Sequence, residues 1–146
     1  MSRVNCCAKV HTCKQVGKKA ILNQHKSKID CSSKRIEYSI NIDDCCKEME
    51  PQSNRWDYVL ACNDECFFIE AHPAESPKHI REVYEKFMWI KNKLAECGYL
   101  GKKLTFYWLA TGEIDLRSKN PRSKRNRQLQ SLNRSIKGPE KYITIR

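Results

Sequence analysis

RWDYVLACNDECFFIEAHPAES, residues 55–76, governs how the rest of the chain is read. Two apolar runs, RWDYVLAC (55–62) and CFFIEAH (66–72), flank the short polar turn NDE. A connection this short joins antiparallel neighbours, so the pair reads as a hairpin, with Pro73 ending the pattern. Strand side chains alternate, which puts Glu70 and His72 on one face and Ile69 and Ala71 on the other. If Ala61 pairs with Cys66, Asp57 falls opposite Glu70 and the two carboxylates share a face. If Cys62 pairs with Cys66, Asp57 moves to the other face and the cluster dissolves.

Downstream, Ser76 and Pro77 suit the N-cap and first position of a helix. Ile80, Val83, Phe87, Ile90, Leu94 and Cys97 recur at steps of three and four, and Gly98 ends the stripe. LTFYWLATG (104–112) is a near-continuous apolar run, as expected for a strand covered on both faces. Upstream, KRIEYSINIDD (34–44) alternates like a half-buried strand, CCKEMEPQSN is a loop, and KQVGKKAILNQHKSKI (14–29) reads as a basic helix weakened by Gly17. A basic helix over 120–136, opened by Asn120-Pro121 with Leu129, Leu132 and Ile136 inward, and an edge strand in KYITIR (141–146) complete the order. The fold class is α/β, a central mixed β-sheet flanked by helices. One domain spans 1–146, with a poorly defined N-terminal segment over 1–13.

The chain carries a net charge of +11 over 146 residues. Residues 117–146 contribute most of it, with ten Lys/Arg against one Asp/Glu. Such asymmetry points to a polyanionic partner, DNA or RNA, with a solvated basic tail as the alternative. Within RSKNPRSKRNR, residues Arg122, Lys124, Arg125 and Arg127 are the candidate phosphate contacts, since side chains and helix dipole there both favour an anion. No apolar run is long enough to span a bilayer and MSRVNCCAKVHTCKQ lacks an apolar signal region, so an intracellular address, cytoplasmic or nucleoid/nuclear, is expected. Nine cysteines in that setting are expected to be thiols. No C-x-x-C occurs; the best zinc candidate is CCAKVHTC, where Cys7 and His11 stand four apart. The apolar middle of the chain leaves room for a homodimer face.

In the first register, two part-buried carboxylates repel one another and each costs free energy unless paired. A divalent cation, Mg²⁺ or Mn²⁺, resolves both problems and makes its bound water a better nucleophile. His72 then stands ready to orient or deprotonate that water, or to stabilise charge on a phosphate. The bland reading pairs Asp57 with Arg55 or a lysine and makes Glu70 and His72 a hydrogen-bonded couple.

RWDYVL, a short turn, FFIEAH, a long amphipathic helix and LTFYWLATG together resemble the PD-(D/E)XK, or restriction-endonuclease-like, nuclease superfamily. The resemblance implies a core of a helix, three strands, a helix and a further strand. It also implies Asp57 and Glu70 as catalytic metal-binding acids, with His72 where the motif lysine is expected. Trp56 replaces the proline before the Asp, and the first helix lacks an acid, for which Asp43 or Asp44 would have to substitute. The implied activity is Mg²⁺-dependent hydrolysis of phosphodiester bonds. Loss of the lysine and the helix acid is also what a catalytically inactive nucleic-acid-binding or protein-interaction module of that fold would show. A zinc- or thiol-dependent binding protein built on the N-terminal cysteines is the third reading.

Overall fold

The computed structural model describes residues 9–98, 103–116 and 122–146. Its centre is a six-stranded mixed sheet in the order β1 (Gln15–Val16), β3 (Tyr38–Asn41), β4 (Tyr58–Cys62), β5 (Glu65–Ala74), β6 (Lys103–Ile114) and β7 (Ile136–Glu140). From β1 through β3 and β4 to β5 each pairing is antiparallel, while β6 runs parallel to β5 and β7 parallel to β6. A separate two-stranded parallel ribbon joins β2 (Ile29–Asp30) to β8 (Ile143–Thr144).

Helix α3 (Pro77–Glu96) makes the crossover between β5 and β6. Ser76 caps it, and His79 reaches back to the Ser76 N–H, closing a capping box with an imidazole as acceptor. Its stripe of Ile80, Val83, Phe87, Ile90 and Leu94 is buried, each side chain contributing about 2 kcal/mol of transfer free energy. Helices α2 (Ile42–Cys46) and α4 (Lys124–Asn133) cover the same sheet face, meeting Trp56, Phe68, Phe106 and Trp108. The opposite face, with Tyr58, Leu60, Phe67, Ile69, Tyr107 and Leu109, is closed by Ile21, Ile29, Ile143 and Ile145. Two covered faces explain why β4 is buried at all five positions.

Several sequence expectations need correction. Residues 14–29 form no single helix: Gln15–Val16 pair with β3 at the sheet edge, Gly17 turns the chain at φ 58°, and only Asn23–Lys26 (α1) is helical. The strand over 34–44 is confined to Tyr38–Asn41, because the Asn41 side chain accepts from the Asp44 N–H and starts α2. Pro73 does not end β5, which runs on to Ala74 across a register shift where a missing N–H is tolerated. Ile136 opens β7 instead of closing the last helix, whose described extent is Lys124–Asn133 with Ser123 as N-cap; Asn120 and Pro121 lie outside the described residues. The C-terminal strand joins β2 and not the main sheet, whose last strand is β7. There Gly138, at φ 115°, passes so close to the Trp108 carbonyl that a side chain would strike it.

The thiol expectation also fails for Cys13, Cys45 and Cys97. Cys13, in a 3₁₀ turn (His11–Cys13), and Cys45 of α2 form a disulfide, and Cys97 is disulfide-bonded as well. Cys31, Cys46, Cys62 and Cys66 keep their thiols in the core. Among the described residues no helix is long and apolar enough to cross a membrane.

Candidate active site

The hairpin takes the register that unites the acids. Ala61 pairs with Cys66 and Tyr58 with Ile69, so Asp57, one residue before β4, stands opposite Glu70. The turn selects this register: Cys62 faces Glu65, leaving two residues in the loop, and Asn63 supplies the positive φ of 45° that so tight a reversal demands.

Asp57 and Glu70 interlock through the backbone. The Asp57 N–H donates to Glu70 Oε1 at 3.2 Å, and the Ala71 N–H donates to Asp57 Oδ2 at 2.9 Å. Glu70 is fully buried, 0% exposed, and such a carboxylate needs a cation. Lys86 of α3 provides it, with Nζ 2.7 Å from Glu70 Oε2. Burial pulls the Lys86 pKa down, but the charges of Glu70 and Asp57 outweigh it and the net direction is up. Asp57 forms no ion pair of its own among the described residues. Burial first and the Glu70 charge second push its carboxyl up to about 7. Near neutrality it is therefore shared between the charged and neutral forms.

His72 lies between two carboxylates, Nδ1 3.3 Å from Glu70 Oε2 and Nε2 3.0 Å from Glu82 Oε1. Burial lowers its pKa, but hydrogen bonds to Glu70 and Glu82 raise it further, so the net direction is up. An imidazole donating from both nitrogens is an imidazolium and has no lone pair with which to deprotonate water. The protonated form, which the raised pKa favours, would not serve as the expected base, whereas the neutral form would. Its geometry is that of a clamp, joining the buried Glu70 to Glu82 on the helix. His79, ring edge-on to His72 at 5.6 Å, completes the cluster.

Arg55 does not pair with Asp57; it binds the Asp43 carboxylate at 3.0 Å and the Glu50 carbonyl at 2.7 Å. Asp43 is thereby occupied, and the start of α2 contributes through its backbone instead: the N–H of Ile42 donates to the Asp57 carbonyl at 2.7 Å, fixing the residue from behind. The Asp43 charge still reaches the site, adding to the upward push on the Asp57 carboxyl.

Lys86 and Glu82 are the functional candidates that the sequence reading missed. They belong to a second row on α3, His79, Glu82, Lys86, Trp89 and Lys93, again at steps of three and four. Each is engaged: Glu82 with His72, Lys86 with Glu70, Trp89 and Lys93 with Glu50. A polar row beside an apolar stripe was the available signal, and it looks like a solvated flank until the opposite strand is in place.

The four basic candidates lie elsewhere. Because β5 and β6 are parallel, their C-terminal ends, and the connections that follow, fall at one end of the sheet. His72 is near the end of β5, and Arg122 and then α4, with Lys124, Arg125 and Arg127, follow β6 in the chain. The acids and the start of α4 thus lie toward the same end of the sheet.

The pair Asp57–Glu70 fits a hard divalent cation, which takes one or two carboxylates and fills the rest of its shell with water or phosphate. Asp57 has an oxygen, Oδ1, that no group among the described residues occupies, and its raised pKa is what an acid lacking a counter-charge shows. Among the described residues no three His, Cys, Asp or Glu side chains converge as a metal cage, and Cys7 of the zinc candidate lies outside them. No protein-family model, curated protein or solved structure matches the chain.

Proposed function

We propose that the protein binds nucleic acid and hydrolyses its phosphodiester bonds with Mg²⁺ or Mn²⁺, in a restriction-endonuclease-like arrangement. The observation that carries the reading is the Ala61–Cys66 register, which brings Asp57 and Glu70 to one face beneath Lys86. The meander β3–β4–β5, the crossover α3 and the parallel strand β6 support the reading, while of the helix that the resemblance implies ahead of the three strands only Asn23–Lys26 is helical. Asp57 and Glu70 would hold the cation, which supplies an acidified water and neutralises phosphate charge. Lys86, from the helix, would supply the permanent positive charge that His72 offers only when protonated, against the charge developing on a phosphate. His72 and Glu82 hold Glu70 in place, and the basic residues of α4 draw in the polyanion.

The test is cleavage of single- and double-stranded DNA and RNA with and without Mg²⁺ or Mn²⁺. Glu70→Ala is expected to lower cleavage at least about a hundredfold while leaving nucleic-acid affinity within about twofold. Activity that survives this substitution or chelation of the metal would sink the reading. One observation favours a second one, an inactive binding module of the same fold. Glu70 already spends both oxygens on Asp57, Lys86 and His72, as a decayed metal centre would. Titration calorimetry separates the two: the module takes up no Mg²⁺ or Mn²⁺, yet still binds nucleic acid through α4.

A further inference from the structure

On the other flank of α3, across the apolar stripe from Glu82 and Lys86, lies a groove shared with α4. Ile80 and Leu132 form its buried floor, and Arg81, Tyr84, Gln128 and Ser131 its walls. Its volume is about 260 Å³, just below the ~300–1,000 Å³ of sites for drug-sized ligands, and so suited to one planar ring system. Tyr84 is 50% exposed, and Met88 continues its row at 40%. No hydrogen bond or ion pair within the described residues engages the side chains of Arg81, Tyr84, Gln128 or Ser131.

The chemistry of the lining is specific. The ring and the aliphatic floor offer a stacking surface, while the Gln128 amide presents a donor and an acceptor side by side, as recognition of a base edge requires. No acid is among the described residues that line the groove. Lys124, one turn before Gln128, stands on the same row of α4 and is exposed, so a cation flanks the groove where a phosphate would follow.

We infer that the groove between α3 and α4 binds an unpaired nucleobase, stacked on Tyr84 and read by Gln128 and Arg81, and that the protein therefore prefers single-stranded nucleic acid. A base inside a duplex is already stacked and its edge is paired, so it cannot enter. A strand with one base in the groove can cross the first turn of α3, where Lys78 is exposed, toward Asp57 and Glu70. The inference rests on the nucleic-acid half of the proposed function and not on cleavage.

Fluorescence anisotropy of the full chain with short labelled homopolymers, single-stranded and duplex, without added metal, tests it. Tyr84→Ala is expected to weaken single-strand binding about tenfold, leave duplex binding and the salt slope unchanged, and be rescued by Tyr84→Phe. Gln128→Ala should shrink the difference in affinity between homopolymers of different base. Wild-type affinity in Tyr84→Ala, or equal losses on single strands and duplex, would overturn the inference. So would a failure of Phe to restore binding while circular dichroism reports an intact fold. If the unmodified protein binds no oligonucleotide at low salt, the nucleic-acid reading falls too. If neutralising Lys124, Arg125 and Arg127 abolishes binding while Tyr84→Ala has no effect, only the groove is lost.

Discussion

Around Glu70, the Lys86 ammonium stands at 2.7 Å and the His72 imidazole at 3.3 Å, and backbone N–H groups steady both acids. Along α4, by contrast, Lys124, Arg125 and Arg127 pair with no described acid, and Lys124 and Arg127 are exposed. The first region is buried, so the charges of Glu70 and Lys86 persist there only because they pair with each other, while Asp57, without a counter-charge, has its carboxyl pushed up. The second is solvated, so its charges cost little to leave unpaired and act through their summed field. Disturbing the acid cluster should therefore change stability and chemistry, whereas disturbing α4 should change only long-range attraction.

The sharpest way to break this contrast is Lys86→Met. It strands a fully buried carboxylate and is expected to cost about 3 kcal/mol in urea unfolding. Adding Glu70→Gln should recover much of that loss, and an additive double mutant would mean that the pair is not coupled. Asp57→Asn comes next, with the opposite sign. The Asp57 pKa rises from 3.8 to about 7 on folding, so the folded chain holds this proton more tightly than the unfolded one. Its contribution to stability is full below about pH 4, declines as pH rises through about 7, and is level beyond. Removing the charge should make the protein more stable by on the order of 2 kcal/mol at about pH 8 and flatten this slope. His72 is also raised and loses stabilisation in the same direction, so it contributes to the slope left in the variant.

Neutralising Lys124, Arg125 and Arg127 together should leave stability within about 0.5 kcal/mol. The same change should lower the slope of log affinity against log salt by roughly two to three. A large loss of stability would show that α4 is as interlocked as the acid cluster. The smallest effect is expected for Lys141→Ala. Its 2.9 Å bridge to Glu113 lies between exposed side chains, and thermal melting should register less than about 0.5 kcal/mol.

Strong local patterns made half of this legible. The five-residue stripe of α3, its Ser76-Pro77 start and the two apolar runs around NDE each have one sensible reading, because period and punctuation agree. The register did not. Ala61 or Cys66 can slip by one residue at no cost to the pattern of a strand buried on both faces, and alternation loses its information there. Residues 14–29 misled for a related reason: a lysine-rich run has fair helix propensity, but pairing with β3 and the turn at Gly17 outweigh it. The disulfide between Cys13 and Cys45 bridges 32 positions, and a count of cysteines carries no distances.

Residue order alone sufficed for the class of fold, the basic last thirty residues and the suspicion attached to Asp57, Glu70 and His72, since periodicity and charge are properties of the chain itself. Packing decided the rest. Only the folded sheet puts the two acids side by side, brings Lys86 across from the helix to Glu70, and turns His72 into a doubly bonded clamp. The reason is that a buried charge is defined by what lies within a few ångströms of it, and those neighbours come from strands and helices far apart in the chain.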